Sequence, residues 1–374
     1  MRIALLLLLG LHGTIHLFGF LKAFHMAEFN ALSQPISKIY GIVWLAAFML
    51  FAITAFLFFF ESNYWWVGGF LALSTSQFLI YNVWADAKFG TLANLLILVA
   101  VVIGYANLSF KNKIVEERKE LFQNAGPVSH QQINEEAISK LPLVVQKWLF
   151  ASGALTHSPV SNVHLVQAVQ LKLRPEQENW NDGKAEQYFT LNPPAFNWSI
   201  DTTVKSLFSV VGRDKFVNGK GAMTIKLVSL VAVADAKNSD KIDGATLQRY
   251  LAEIVWFPSA ALSSYITWEP LSENSAKATM EVNGTKGWGE FHFDEQGNFI
   301  KFRTLRYQDP KATEPTEWIV IATKTEERNG LRIPVECEAS WALESGKWTW
   351  LKLKITDIAY NVNEMPVAEN KANK

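Results

Sequence analysis

The chain has 374 residues, of which 49% are hydrophobic, and its 35 basic and 35 acidic side chains give a formal net charge of zero. This balance excludes the basic surface of a nucleic-acid-binding protein, and a single cysteine excludes an internal disulfide. Only seven charged side chains lie in the first 110 residues, so we predict a membrane segment followed by a globular domain, not a simple cytosolic enzyme or a disordered chain.

The first 110 residues contain four apolar runs, each close to the roughly 20 residues that a helix needs to cross a membrane. Polar or turn-forming residues separate them. The first run resembles a signal peptide, but it lacks a small-residue cleavage site and three more runs follow it, so we interpret it as a retained helix. We therefore predict a four-span transmembrane domain over residues 1–110. The runs are 3–21, 39–60, 64–82 and 91–109.

Four spans would place both ends of this domain on one side of the membrane. With the N-terminus inside, five basic residues lie inside and three outside, and the positive-inside rule then favours a cytoplasmic soluble domain. If one of the four runs does not cross the membrane, the soluble domain would lie on the opposite side. We predict a multi-pass protein of the cytoplasmic (inner) membrane. The inside set is Arg2, Lys111, Lys113, Arg118 and Lys119, and the outside set is Lys22, Lys38 and Lys88.

Residues 111–130 are predicted to form a helical stalk and linker. Their charges fall at spacings of three and four, which is typical of a solvated helix with pairs of opposite charge. The Asn124-Ala125-Gly126-Pro127 segment should end that helix. We expect the soluble domain over 131–362 and a disordered tail over 363–374.

The soluble half is predicted to be mostly β-structure with two helices. One helix is expected over 134–151 with an interruption at Pro142, and another over 244–256 that ends before Pro258. The fold class is α+β: a large curved antiparallel sheet, or half-barrel, packed on one or two helices. Alternating apolar and polar residues predict ten strands, at 163–173, 186–191, 197–203, 222–233, 276–283, 288–294, 298–307, 316–326, 332–343 and 348–360.

Several stretches of the soluble half stand out as a set. Among them are Ala185-Glu186-Gln187-Tyr188-Phe189-Thr190, Gly212-Arg213-Asp214, Leu247–Glu253 running into Trp256-Phe257-Pro258, Arg306-Tyr307 and Gly330–Pro334. By these stretches the soluble half resembles an uncharacterised bacterial family, a domain of unknown function, over about residues 141–360. The resemblance implies a half-barrel similar to that of the lipoprotein carriers, here fused to a membrane anchor, but no activity.

Two alternatives are open for the charged residues within these stretches. Arg213 could hold a carboxylate or phosphate head group at the mouth of an apolar cavity, or it could form a structural ion pair with Glu253 that joins helix and sheet. Aromatic side chains near the 244–256 helix could pack the core or line the cavity. The candidate ligand-binding residues are Arg213, Glu186, Glu253, Trp256, Trp268 and Tyr250.

His12 and His16 are four residues apart and therefore share one face of an apolar helix. They are weak candidates for metal or haem binding or for proton transfer, because a third ligand is missing and His25 is too far along the chain. Hydrogen bonds to the third apolar run are the simpler alternative. That run offers Ser74, Thr75, Ser76 and Gln77.

The function predicted from these observations is a non-enzymatic, membrane-anchored binding module for a lipid, an acyl chain or another hydrophobic ligand. No cofactor and no nucleic-acid partner are predicted. One alternative is a membrane enzyme or redox or proton device that uses His12 and His16. Another is a sensor or scaffold whose domain binds a protein partner through a sheet edge.

Overall fold

The computed structural model describes residues 2–126, 135–204 and 208–363. The chain divides into two compact units, and the boundary lies between Asn112 and Lys113. Predictions for residues 127–134, including the start of the 134–151 helix, and for 364–374 of the tail lie outside the described residues.

The first unit consists of helices, as its apolar composition predicts. Three of its helices, α1, α2 and α5, are long and apolar enough to cross a membrane. The run at 64–82 also forms a helix, α3, but it is not among those three, so the crossing of all four runs stays a prediction. The helices are α1 (Arg2–Ala23), α2 (Lys38–Phe59), α3 (Trp65–Asn82), α4 (Trp84–Ala87) and α5 (Gly90–Gln123).

Glycine allows α1 and α2 to pack closely. A Cβ atom at Gly19 would lie 2.1 Å from Cδ2 of Trp44, and one at Gly13 would lie 2.7 Å from Cβ of Phe51. Real side chains do not approach so closely, so larger residues at these positions would push the helices apart. This pattern of small residues at a helix contact is common in membrane bundles.

The second unit is built on one antiparallel sheet of thirteen strands, in the order β6-β5-β4-β3-β2-β1-β13-β12-β11-β10-β9-β8-β7. Its strands are β1 (Asn162–Leu171), β2 (Asn181–Leu191), β3 (Pro194–Val204), β4 (Phe208–Val217), β5 (Lys220–Leu227), β6 (Val231–Lys237), β7 (Ile266–Ser272), β8 (Ser275–Val282), β9 (Thr285–Phe293), β10 (Phe299–Arg306), β11 (Thr316–Arg328), β12 (Leu331–Leu343) and β13 (Gly346–Tyr360).

Helix α8 (Asp240–Glu253) packs on one face of this sheet, here called the inner face. It contacts β4 to β6 at one end of the sheet and β8 to β10 at the other, so the sheet curves around it as the predicted half-barrel should. The buried core lies between them and is rich in large aromatic rings with less than 2% exposure. These include Phe189, Phe196, Phe216, Tyr250, Phe257, Phe291 and Phe302.

The predicted α+β class is confirmed, but the strand count differs. The predicted strand at 222–233 is two strands, β5 and β6, because the chain turns at Val228 and Ser229, both with positive φ. No glycine, proline or asparagine marks that turn. Strands β4 and β7 were also missed. In β4 the charged residues Arg213 and Asp214 face opposite sides of the sheet, so the alternation of apolar and polar residues is broken. Strand β7 contains Pro270, which lowers strand propensity but is tolerated because β7 lies at the edge of the sheet.

The predicted helices of the soluble half shift at their ends. Two helices flank Pro142, α6 (Glu135–Ser139) and α7 (Leu143–Ala151). Helix α8 begins at Asp240, before the predicted start at residue 244, and gives way to a 3₁₀ turn at Ile254–Trp256. The early start follows from Asp240 and Asp243, which lie in the first turn, where negative charge favours a helix.

Candidate functional site

The structure divides the six predicted ligand-binding residues between the two faces of the sheet. Glu186 and Arg213 lie on the outer face, because their neighbours Gln187 and Asp214 face α8. The other four, Glu253, Tyr250, Trp256 and Trp268, belong to the inner side. Both alternatives considered for Arg213 are therefore wrong: it does not pair with Glu253, and it does not lie at the mouth of a cavity beside α8.

Arg213 pairs instead with the last turns of helix α5. Its Nε lies 3.2 Å from Oε2 of Glu117, and Nζ of Lys215 lies 3.1 Å from Oε1 of the same carboxylate. The side chains of Arg213 and Glu117 are 4% and 11% exposed. Asn197 of β3 also donates to Glu117, at 3.1 Å. A buried carboxylate with three partners fixes this end of α5 on the outer face.

Arg118, the next residue of α5, is bound by Glu186. Its guanidinium donates to Oε2 of Glu186 at 2.5 Å and to Oγ of Ser199 at 2.7 Å, and it lies 4.6 Å from the centre of the Tyr188 ring. Burial alone would raise the pKa of Glu186, but hydrogen bonds from His164 and Arg118 lower it to about 2. The prediction of a solvated stalk is thus wrong for these turns of the helix.

On the inner face, the side chain of Arg249 on α8 is the centre of a second ion cluster. It donates to Asp214 of β4 at 2.8 Å and to Glu253 one turn along α8 at 2.9 Å. The second oxygen of Glu253 accepts from Gln187 at 2.7 Å. The Arg249 guanidinium also lies 4.8 Å from the centre of the Trp198 ring, so both charge and stacking hold it.

Of the predicted aromatic residues, Tyr250 and Trp256 are core residues and Trp268 is a partly buried residue packed against the core, and the polar groups of all three are satisfied. The Tyr250 hydroxyl donates to the carbonyl of Thr190 at 3.0 Å, and the Trp256 indole donates to Pro334 at 3.0 Å. The Trp268 indole donates to Ala261 at 3.0 Å. Trp256 is 3% exposed, so a charged substitution there would disrupt the core and would not isolate an effect on binding.

Beside the Arg249 cluster, the inner face carries a set of half-buried apolar side chains, here called the inner strip. Its members are Trp198 of β3 and Trp350, Leu351 and Leu353 of β13. They pack on buried aliphatic residues of β1, β2 and β3. The indole nitrogen of Trp350 is buried and has no hydrogen-bond partner among the described residues. Such a donor needs an acceptor from water or a ligand.

Arg306, at the end of β10, lies next to this surface. Its guanidinium stacks on Trp318 at 4.5 Å and on Trp341 at 5.8 Å, measured to the ring centres. The indole nitrogens of Trp318 and Trp348 are also buried without a partner among the described residues. Trp348 faces Trp341 across the β12–β13 ladder. This corner therefore combines a cation, stacked rings and free donors.

Sequence reasoning missed Arg249 and Arg306 as site residues, although signals for both existed. Arg249 lies four residues before Glu253, the spacing of a helical ion pair. Arg306 shares the alternation of Phe302 and Thr304 along its strand, and Thr304 contacts Gln248 of α8. That alternation already places Arg306 on the inner face.

In the first unit, His12 and His16 are buried in a polar cluster. The Nε2 atom of His12 lies 3.1 Å from Oγ of Ser76 and 3.0 Å from Oδ1 of Asn94. The Nδ1 atom of His16 lies 2.9 Å from the carbonyl of His12. Ser76 was one of the partners considered for this pair, whereas Asn94 of α5 was not. Among the described residues, no group of three histidine, cysteine, aspartate or glutamate side chains could hold a metal ion.

These features define an α+β half-barrel protein with apolar helices at its N-terminus. A family model described as a family of unknown function (DUF6920) matches residues 139–360, so the chain belongs to that family. The predicted resemblance to an uncharacterised family is confirmed. No curated protein matches the chain. A similar solved structure is that of a LolA superfamily protein from Nitrosomonas europaea, with 9% identity, a TM-score of 0.34, and coverage of 59% of this chain and 94% of that one.

Proposed function

We propose that this protein is a membrane-anchored, non-enzymatic binding module for a hydrophobic ligand: a membrane lipid, an acyl chain or another apolar small molecule. The observation that carries the proposal is the inner strip. It leaves tryptophan and leucine side chains half-buried on the same face of the sheet that carries the core. Apolar surfaces with a few polar groups at their edge are typical of ligand sites.

The polar border of the inner strip supports the same proposal. On one side lies the Arg249 cluster, in contact with Trp198. On another side lie buried indole N–H groups, and no described residue accepts a hydrogen bond from them. A ligand with a long apolar part and a few oxygen atoms would cover the strip and accept these hydrogen bonds. Of the six predicted residues, Glu253 borders this surface, whereas Tyr250 and Trp256 support it from the core.

A photoactivatable apolar probe would test this proposal. The full chain is placed in phosphatidylcholine nanodiscs and labelled with an analogue of palmitic acid that carries a diazirine. Leu353→Gln puts a polar group in the inner strip, so we expect it to reduce labelling of the second unit several-fold. Leu305→Gln is the matched control, because Leu305 is 48% exposed and lies on the outer face. Equal labelling of the two variants and the original chain would overturn the proposal.

We also infer that the helices of the first unit place the protein in the bacterial cytoplasmic membrane as a multi-pass protein, with the second unit on the cytoplasmic side. The three long apolar helices support membrane association. The excess of basic residues on one side of the four predicted spans supports the orientation.

An impermeant thiol reagent on intact cells tests this orientation. Cys337 is buried and is changed to serine, and single cysteines are then introduced at the exposed positions Lys311 and Glu28. Glu28→Cys lies in the first loop, which four spans would place outside, so it should be labelled. Lys311→Cys should be labelled only after the cells are opened. Labelling of Lys311→Cys in intact cells would reverse the orientation.

A further inference from the structure

Arg306 is a half-buried cation without a carboxylate of its own. No described carboxylate lies within 4.0 Å of its guanidinium, and its Nε is buried without a hydrogen-bond partner among the described residues. Removing part of a charged group from water without giving it a partner costs free energy, and natural proteins usually pair such a charge. Stacking on Trp318 and Trp341 recovers part of this cost but satisfies no N–H group.

The neighbouring carboxylates are already engaged by Arg249. One oxygen of Asp214 and one of Glu253 accept from Arg249, and the other oxygen of Glu253 accepts from Gln187. Both carboxylates interact electrostatically with Arg306, but only across the cluster. The two arginines of this surface therefore differ in their ion pairs: Arg249 has two carboxylate partners, and Arg306 has none among the described residues within contact distance.

Two indole groups on the same side of the sheet as Arg306 have free hydrogen-bond donors. Its stacking partner Trp318 is 5% exposed, and the Trp318 indole nitrogen has no acceptor among the described residues. The same is true of the indole nitrogen of Trp348, which faces Trp341 across the sheet. A guanidinium and two indole N–H groups form a donor set suited to an oxyanion, and arginine binds carboxylate and phosphate groups in a planar, two-point manner.

We propose that Arg306 binds the acidic head group, a carboxylate or a phosphate, of an amphiphilic ligand whose apolar chain lies along the inner strip. This inference rests on the proposed function and specifies its ligand class. Trp318 and Trp348 act as additional donors to the head group. Burial lowers the pKa of Arg306 to about 10, so it is a cation at neutral pH and a bound anion would offset the cost of its burial.

The test compares ligands that differ only in the head group. The full chain in phosphatidylcholine nanodiscs is titrated with palmitic acid, with hexadecanol, and with nanodiscs that contain phosphatidylglycerol. Charge-assisted hydrogen bonds favour the acidic ligand, so palmitic acid should bind about tenfold more tightly than hexadecanol. Arg306→Gln should bring the ratio of the two affinities close to one, and Arg306→Lys should keep part of the preference. Near-ultraviolet circular dichroism verifies that each variant is folded.

The outcomes separate this inference from the proposed function. If palmitic acid and hexadecanol bind equally to the original chain, or if the preference survives in folded Arg306→Gln, the head-group inference is wrong and the binding module stands. If neither ligand nor phosphatidylglycerol binds, the proposed function itself fails. A preference for palmitic acid identifies a free fatty acid as the source, and Arg306-dependent binding of phosphatidylglycerol alone identifies an anionic phospholipid.

Discussion

Replacing Arg249 with methionine should lower the free energy of unfolding of the second unit by about 3 kcal/mol. The substitution keeps an unbranched apolar chain against Trp198 but removes the cation that Asp214 and Glu253 share. Those carboxylates are 14% and 11% exposed and would be left as buried negative charges. Burial raises the pKa of Glu253, and the positive charge of Arg249 opposes this rise. Without Arg249 the Glu253 carboxyl should bind a proton more readily. The variant should therefore be least stable at high pH, where that proton is lost.

Denaturant unfolding of the full chain, followed by tryptophan fluorescence, measures this effect. Arg303→Met is the control: it removes an arginine that pairs with Glu290 and Glu317, but its side chain is 45% exposed. Exposed pairs contribute between zero and about 1 kcal/mol, so the control should be close to the original chain. Similar losses for the two variants would show that the Arg249 cluster is not a buried ion network.

Glu117→Met should be the second strongly destabilising substitution, with an expected loss of about 3 kcal/mol. It leaves Arg213 buried on the outer face with a net positive charge and no carboxylate beside it. Hydrogen bonds from Arg213 to Ala222 and Thr224 remain, but they do not neutralise the charge. The end of helix α5 would then lose its main polar contact with β4.

The same helix supplies the control for this substitution. Glu116 is adjacent in sequence, but its side chain is 66% exposed and pairs only with the exposed Lys119 among the contacts described. Glu116→Met should therefore change the unfolding midpoint little. If Glu117→Met is as mild as Glu116→Met, the last turns of α5 are solvated, as their charge pattern alone suggests.

Alternation predicted most of the sheet because burial on one face leaves a period of two in the sequence. Strands β1, β10 and β12 show it clearly, and they lie where the pattern places them. The pattern failed where the chain turns without the usual turn residues. At Val228 and Ser229 an apolar run continues through a tight turn, and only the pairing of β5 with β6 reveals the break.

The ion clusters were harder to predict because the sequence does not show which face of the sheet a distant segment covers. A helix with alternating charges has the same pattern whether it is solvated or packed on a polar sheet face. Glu117 and Arg118 became buried because Glu186, Asn197 and Arg213 lie together on the outer face of β2 to β4. That juxtaposition depends on strand register, which spans long sequence separations.

The position of photo-crosslinks made by the palmitic acid analogue tests the central claim most directly. After irradiation of the full chain in nanodiscs, peptide mass spectrometry locates each adduct. A ligand on the inner strip predicts adducts in peptides of β3 and β13 that contain Trp198 and residues 350–353, and their loss in Leu353→Gln. Adducts confined to the apolar helices at 2–59, with the second unit unmodified, would contradict the assignment of ligand binding to the half-barrel.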